Sequence, residues 1–146
     1  MARTYDQACP IAKSLDLLGE RWTLLIVREL LKGPRRFAEL ASLLPGIPPA
    51  TLSARLKRLE QAGVLDRRVM DERPPRAEYS VTAAGEALWV PLRALGIWGT
   101  QHLDTPYDRV HQTCLGQVSF ELHCTSCGGE VADSDCTLHR KPTTRD

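Results

Sequence analysis

The sequence lacks the segments that would mark a membrane or secreted protein. No apolar run approaches the roughly 20 residues that a membrane-spanning helix needs. The N-terminus has no apolar stretch after its first charges, as a secretory signal would. Internal repeats and long low-complexity tracts are also missing. These absences predict a cytoplasmic protein with no membrane partner.

Motifs of the common catalytic centres are missing as well. The chain has no nucleophile paired with a general base, no paired carboxylates, no phosphate-binding glycine loop and no dinucleotide-binding motif. A reductase built on Cys124 and Cys127 is an alternative, but the acidic surroundings and the lack of a thioredoxin-like pattern argue against it. We therefore expect a protein that is not an enzyme.

Charge is almost balanced overall but unevenly distributed along the 146 residues. Residues 1–103 carry 15 Lys and Arg against 11 Asp and Glu, whereas residues 104–146 carry 4 against 7. Residues 32–76 alone hold 10 basic and 5 acidic side chains. This local excess suits a phosphate-binding surface, and equally a solvated basic face. The contrast predicts one core domain over residues 1–103 and a different, small unit over residues 104–140.

Apolar periodicity and turn residues predict a mainly α chain with one β-hairpin. Helices are expected over residues 10–18, 22–30, 37–44 and 49–62, followed by strands at 64–69 and 77–81 with a charged loop between them. A last long helix from Thr82 to about Leu103 is predicted to bend at Pro91. Its apolar content is high, so we expect part of it to contact a second copy of the chain, packing within the chain being the alternative.

This order of elements is that of a winged helix-turn-helix, in which the fourth helix enters the major groove of DNA. Residues near the start of that helix can reach base edges, and the longer cations further along suit phosphates. The candidate DNA-binding residues of this helix are Pro49, Ala50, Thr51, Ser53, Ala54, Arg55, Lys57 and Arg58. Taken singly, each basic residue is equally well explained as part of a solvated helix face.

The hairpin loop is the expected wing. Arg73 and Arg76 flank two prolines that hold the loop extended. An extended loop can lay guanidinium groups along a phosphate backbone or into a narrow minor groove. Double-stranded DNA is therefore the expected partner, and a protein-interaction module on the same fold is the alternative.

Several blocks of residues carry a family resemblance. They are Cys9-Pro10-Ile11, residues 15–26 (LDLLGERWTLLI), residues 36–40 (RFAEL), residues 52–60 (LSARLKRLE), residues 63–65 (GVL), and residues 79–82 (YSVT) with Gly85. On these blocks, residues 9–103 resemble the HxlR-type family of bacterial transcription regulators, relatives of the MarR-like winged-helix proteins. The resemblance implies a homodimer on a palindromic operator, with helices from both chain ends at the dimer interface, and we expect it to act as a repressor.

Some members of this family sense electrophiles or oxidants through the cysteine of the Cys-Pro motif. A thiol at a helix N-terminus is nearer to thiolate because of the partial positive charge there. Cys9 is therefore a redox candidate, and a small molecule or an oxidant is a candidate effector. The alternative is that Cys9 is simply a small residue that packs well.

The tail beyond residue 103 contains four of the five cysteines. Residues 124–129 (CTSCGG) have the form of a zinc knuckle, in which two thiolates face one tetrahedral ion. The predicted ligands of a structural zinc are Cys114, Cys124, Cys127 and Cys136, with His111 able to replace either outer cysteine. A dithiol pair at Cys124 and Cys127, or no special chemistry, are the alternatives. Residues 141–146 are predicted to be disordered.

Overall fold

The computed structural model describes residues 4–72 and 75–138. These residues form six α-helices, three β-strands and one 3-10 helix, in the order α1 (Pro10–Leu18), α2 (Thr23–Leu30), β1 (Arg35–Arg36), α3 (Phe37–Leu43), α4 (Pro49–Gln61), β2 (Leu65–Glu72), β3 (Pro75–Val81), α5 (Ala83–Glu86), α6 (Trp89–His102) and the 3-10 helix Asp133–Asp135. The chain divides into two compact units between Leu95 and Gly96. Residues 141–146, predicted to be disordered, lie outside the described residues.

The core of the first unit is an apolar cluster contributed by α2, α3, α4 and the start of β2. Its buried members are Ile26, Val27, Leu30, Leu40, Leu44, Ile47, Leu52, Leu56, Leu59, Val64 and Leu65. Helix α4 supplies Leu52, Leu56 and Leu59, whose spacing of four and three residues places them on one face. Burying each leucine contributes roughly 1.5 to 3 kcal/mol, so this face determines how α4 packs.

Helix α4 ends in a turn that leads directly into the wing. Gly63 adopts a left-handed conformation (φ 71°), its amide donates to the Glu60 carbonyl at 3.0 Å, and the Val64 amide donates to the Leu59 carbonyl at 2.9 Å. These two bonds form a Schellman motif, which satisfies carbonyls at the helix end and requires glycine at the left-handed position. Val64 and Leu65 are thereby placed in the core at the start of β2.

A threonine connects the end of the wing to the next helix. The Thr82 hydroxyl donates to the Gly63 carbonyl at 2.7 Å and accepts from the Gly85 amide at 3.3 Å, so Thr82 caps α5 as predicted. A Cβ on the buried Gly85 would lie 2.3 Å from the Val64 carbonyl oxygen. The close approach of α5 to the start of β2 therefore needs glycine at this position.

The sheet has three antiparallel strands in the order β1-β3-β2. The hairpin pairs Leu65 with Val81 and Glu72 with Pro75, and an irregularity between Val69 and Asp71 shifts its register. Both strands extend beyond the predicted 64–69 and 77–81, so the connecting loop is shorter than expected. This arrangement confirms the predicted fold class, a mainly α winged helix-turn-helix with a small β-hairpin.

The prediction of one long C-terminal helix bent at Pro91 was wrong. The helix is interrupted at Ala87–Leu88, where hydrogen-bonded turns separate α5 from α6. Pro91 is the third residue of α6. Proline is tolerated in a first turn, where its missing N–H costs nothing, but deeper in a helix its ring clashes with the carbonyl four residues earlier. A break before Pro91 avoids that clash.

Helix α2 carries the buried carboxylate Glu29, which is 3% exposed. Burial raises the pKa of Glu29, but hydrogen bonds from Lys32 and Arg28, each at 2.7 Å, outweigh it, and the pKa lies below its usual value. The ion pairs therefore stabilise the fold above the ordinary carboxyl pKa, and this stabilisation is lost as the pH falls through the lowered value.

Among the described helices, none is long and apolar enough to cross a membrane.

Candidate nucleic-acid interface

The start of α4 is set by a proline-rich turn. Pro48 is the extended N-cap residue (φ −66°, ψ 138°) and Pro49 is the first helical residue. Proline suits both positions because its fixed φ fits the helix start and no partner is needed for its nitrogen. Ile47 just before them is buried. The first turn of α4 is thus anchored on one side and open to solvent on the other.

The face of α4 opposite the buried leucines is exposed. The exposed residues are Pro49, Ala50, Ser53, Ala54, Lys57, Glu60 and Gln61, and Thr51 is half-buried. The spacing from Ala50 through Ser53, Ala54 and Lys57 follows one stripe along the helix. Most of these side chains are small, so the helix backbone can approach the edges of base pairs closely, with one flexible cation at the end of the stripe. We refer to this stripe as the recognition face.

Two arginines of α4 are held inside the domain. Arg55 Nη1 lies 2.6 Å from Glu20 Oε2, and Arg58 Nη1 lies 3.6 Å from the same oxygen. Arg58 Nη2 also donates a hydrogen bond to the carbonyl of Asp16 in α1. Their side chains are only 23% and 31% exposed. The structure therefore gives Arg55 and Arg58 an internal partner, whereas Lys57 points to solvent.

Of the two arginines predicted to bind DNA from the wing, the structure describes one. Arg76 is exposed and lies opposite Asp71 in the β2–β3 register. Arg73 lies outside the described residues. On β2, Arg67 and Arg68 are also exposed and pair with Tyr79 and Glu78. Because neighbouring residues of a strand point to opposite faces, these two arginines lie on opposite sides of the wing.

Strand β1 adds basic residues that sequence reasoning missed. Arg35 and Arg36 pair with Tyr79 and Glu78 of β3. The Arg36 amide donates to Glu39 Oε2 at 2.7 Å, which fixes the start of α3, while the Arg36 side chain is exposed. A strand of two residues is too short to show the alternation of apolar and polar residues that predicts a strand. Only the two arginines after Gly33 and Pro34 could have pointed to this basic site.

Cys9 occupies the N-cap position of α1, as predicted. Its backbone is extended (φ −90°, ψ 130°), its carbonyl accepts from the Lys13 amide at 3.0 Å, and its thiol is partly exposed. The side chain makes no capping hydrogen bond. The thiol is therefore free to face the positive end of the helix dipole.

The predicted zinc ligands lie in two separate turns. His111 Nδ1 is 3.3 Å from Cys114 Sγ in the first. In the second, backbone N–H groups of Cys127 and Ser126 donate to the Cys124 sulfur and lower the pKa of that thiol. Cys136 follows the 3-10 helix and is exposed. Within residues 4–72 and 75–138, no three His, Cys, Asp or Glu side chains are gathered around a common point where a metal could bind.

A helix-turn-helix whose second helix exposes a stripe of small and basic residues, followed by a basic hairpin, defines the winged-helix regulators of transcription. Comparison with known proteins agrees. The chain belongs to the HxlR-like helix-turn-helix family, whose model matches residues 17–107. The predicted family is therefore confirmed, and the protein is a transcription regulator of the HxlR and MarR type.

Relatives match over most of the chain. The uncharacterised HTH-type transcriptional regulator Rv3095 of Mycobacterium tuberculosis is 41% identical over 136 residues, covering 90% of this chain and 85% of its own. The structure of PA1374, a candidate transcription factor from Pseudomonas aeruginosa, is 37% identical with a TM-score of 0.69, covering 94% of this chain and 96% of its own. The redox regulator HypR in its oxidised form is 31% identical with a TM-score of 0.61, covering 66% of this chain and 100% of its own.

Glu20 is expected to stabilise the placement of α4. Glu20→Gln removes the charge shared by Arg55 and Arg58 and should lower the free energy of unfolding by about 1 to 2 kcal/mol, as is usual for loss of a partly buried ionic network. Urea unfolding followed by circular dichroism measures this. The matched control is Glu60→Gln, a change at an exposed residue of α4. Equal stability of the two variants would show that the network is energetically unimportant.

Proposed function

We propose that the protein is a homodimeric repressor that binds a palindromic operator through α4 and the wing. The observation that carries this proposal is the recognition face, which exposes small residues and one lysine opposite a fully buried leucine face. Two copies related by a two-fold axis present two such helices, so the operator must be an inverted repeat with half-sites about one helical turn apart. A dimer bound across a promoter blocks polymerase by occupying its site, which is the basis for proposing repression.

Base reading and phosphate binding are assigned to different residues. Pro49, Ala50, Thr51, Ser53 and Ala54 form the part of α4 that approaches base edges. Lys57, Arg76 and the unplaced Arg73 are assigned to phosphates. Arg55 and Arg58, also expected to contact DNA, act chiefly by fixing α4 through Glu20, because their guanidinium groups are already paired.

The exposed apolar residues of α6 are the main argument for a dimer. Its sequence is largely apolar, yet it contains no buried residue along 14 positions. Trp89, Val90, Leu95 and Trp98 are each about half exposed, and Ile11 on α1 is 71% exposed. An exposed set of large apolar side chains is costly in water and is typical of a subunit interface. The resemblance to the HxlR-type family implies that helices from both chain ends form that interface, and the exposed residues on α1 and α6 support this proposal.

Lys57 provides the direct test of DNA binding. Lys57→Ala should weaken operator binding and reduce the slope of log affinity against log salt by about 1 for each lost phosphate contact, hence about 2 for a dimer. Fluorescence anisotropy with DNA from the protein's own promoter region, against a scrambled duplex, measures both. Lys13→Ala is the charge-matched control on α1. If the unaltered protein shows no preference over the scrambled duplex, a partner other than that DNA uses the winged helix.

The dimer is tested separately on α6. Leu95→Glu places a charge in the proposed apolar interface and should shift the protein to monomers in sedimentation equilibrium at micromolar concentration, because burying an unpaired carboxylate is costly. Leu43→Glu is the matched control, since Leu43 is similarly exposed (44%) but lies on α3. If Leu95→Glu remained dimeric while Leu43→Glu became monomeric, the dimer interface would lie on α3 and not on α6.

Thiol sensing through Cys9 is a second candidate function. It is favoured by the N-cap position of this partly exposed thiol and by the likeness to the redox regulator HypR. In this case a peroxide is the effector, and it oxidises the single Cys9 thiol to a sulfenic acid with release of water. It should lower operator affinity at least tenfold, and Cys9→Ser should abolish the response while Cys136→Ser retains it. Anisotropy with and without oxidant measures this, and an unchanged response in Cys9→Ser would exclude Cys9 as the sensor.

A further inference from the structure

The tail contains two turns with the same backbone. We call residues 111–116 (HQTCLG) the first knuckle and residues 124–129 (CTSCGG) the second knuckle. In each, the amide of the first residue donates to the carbonyl of the sixth at 2.9 Å, and the amide of the fifth donates to the carbonyl of the first at 2.8 Å. In each, the flanking residues form an antiparallel bridge, Val110 with Gln117 and His123 with Glu130. The chain thus builds one type of turn twice.

The match includes a strained position. The fifth residue of both knuckles has a positive φ, 56° at Leu115 and 72° at Gly128. Glycine adopts this conformation freely, whereas a leucine there costs roughly 1 kcal/mol or more. The first knuckle therefore adopts the same turn although Leu115 disfavours a positive φ. Sequence alone conceals the match, because the first knuckle has His111 in place of the first cysteine and Leu115 in place of the glycine at the fifth position.

Each knuckle brings together a pair of metal-binding side chains. The pairs occupy the first and fourth positions: His111 with Cys114, and Cys124 with Cys127. In both, the sulfur at the fourth position lies over the glycine at the sixth, 3.3 Å and 3.5 Å from where a Cβ would stand. Glycine therefore leaves room beside each sulfur for another ligand.

The spacing of the first pair fits a tetrahedral ion. His111 Nδ1 lies 3.3 Å from Cys114 Sγ. With Zn–S near 2.3 Å and Zn–N near 2.0 to 2.1 Å, neighbouring ligand atoms lie roughly 3.5 Å apart. In the second pair, Cys124 and Cys127 occupy the same first and fourth positions of a turn with the same backbone hydrogen bonds.

The second unit has no buried core among its described residues. Among its described residues whose side chains are placed, none is buried. A unit of this size with no apolar interior ordinarily depends on a metal or on disulfides. In the described tail the cysteines are free thiols. A metal site is one stabilising element that these residues can form.

We propose that the two knuckles close on one zinc ion held by His111, Cys114, Cys124 and Cys127, with Cys136 outside the site. Nine residues separate Cys114 from Cys124, so the knuckles are tethered closely enough for one ion to gather both. Each knuckle is a preformed half-site, and binding of the ion completes the set of four. Metal binding and ordering of the tail are then a single event, as in other small zinc modules.

The experiment uses the full chain, reduced and freed of metal by a chelator, and titrated with Zn²⁺ or with Co²⁺ as a spectroscopic substitute. The unaltered protein should bind one ion per chain, and its Co²⁺ form should show the visible bands of a tetrahedral site with three thiolates. His111→Ala and Cys127→Ser should lose stoichiometric binding. Cys136→Ser is the matched control and should bind like the unaltered protein. The thermal unfolding of the winged helix, followed in parallel, confirms that each variant has folded.

Each other outcome overturns the proposal in a distinct way. Loss of binding in Cys136→Ser with retention in His111→Ala would assign the site to the four cysteines. One ion per two chains would show that the knuckles of separate copies share the metal. No tetrahedral Co²⁺ spectrum in the reduced protein would exclude the site, and a Cys124–Cys127 disulfide detected by mass spectrometry after mild oxidation would then identify the second knuckle as a redox pair.

Discussion

The arrangement of the DNA-binding unit depends on one constraint, the burial of the leucine face of α4. Leu52, Leu56 and Leu59 are each at most 1% exposed. Because a helix has fixed angular spacing, burying these three side chains determines which residues face outward. The recognition face is therefore a consequence of core packing. The Schellman turn at Gly63 transmits the same constraint to the wing, since it starts β2 at a fixed angle from the end of α4.

Apolar packing alone does not fix the rotation of a helix to within a few degrees, because it is non-directional. The Glu20 network adds a further constraint, since one carboxylate oxygen lies within ion-pair distance of guanidinium groups on successive turns of α4. Arg58 extends the connection to the backbone of α1. A helix that reads bases must be placed to a fraction of an ångström. Arg55 and Arg58, which the sequence predicts as DNA contacts, thus also have partners within the protein.

Much of the fold was predictable from sequence, because strong periodicity and Pro or Gly boundaries identify α1 to α4 and the hairpin. The features missed share a physical cause: they depend on tertiary contact. Strand β1 exists only through its pairing with β3. The break at Ala87–Leu88 reflects a clash that a helical wheel does not display. The pairing of Arg55 with Glu20 joins residues distant in sequence. Charge pattern alone did not reveal that Arg55 and Arg58 have partners within the protein.

The two units differ in how much apolar surface they bury. The first has enough apolar residues to bury a core, so its surface can carry the basic residues that DNA requires. The second exposes its apolar side chains, and backbone hydrogen bonds in two small turns are its most regular feature. Such turns cannot stabilise one another without a shared partner, because each is short and open to water. The two turns share one hydrogen-bond pattern even though Leu115 stands where the second turn has Gly128, a residue better suited to a left-handed conformation.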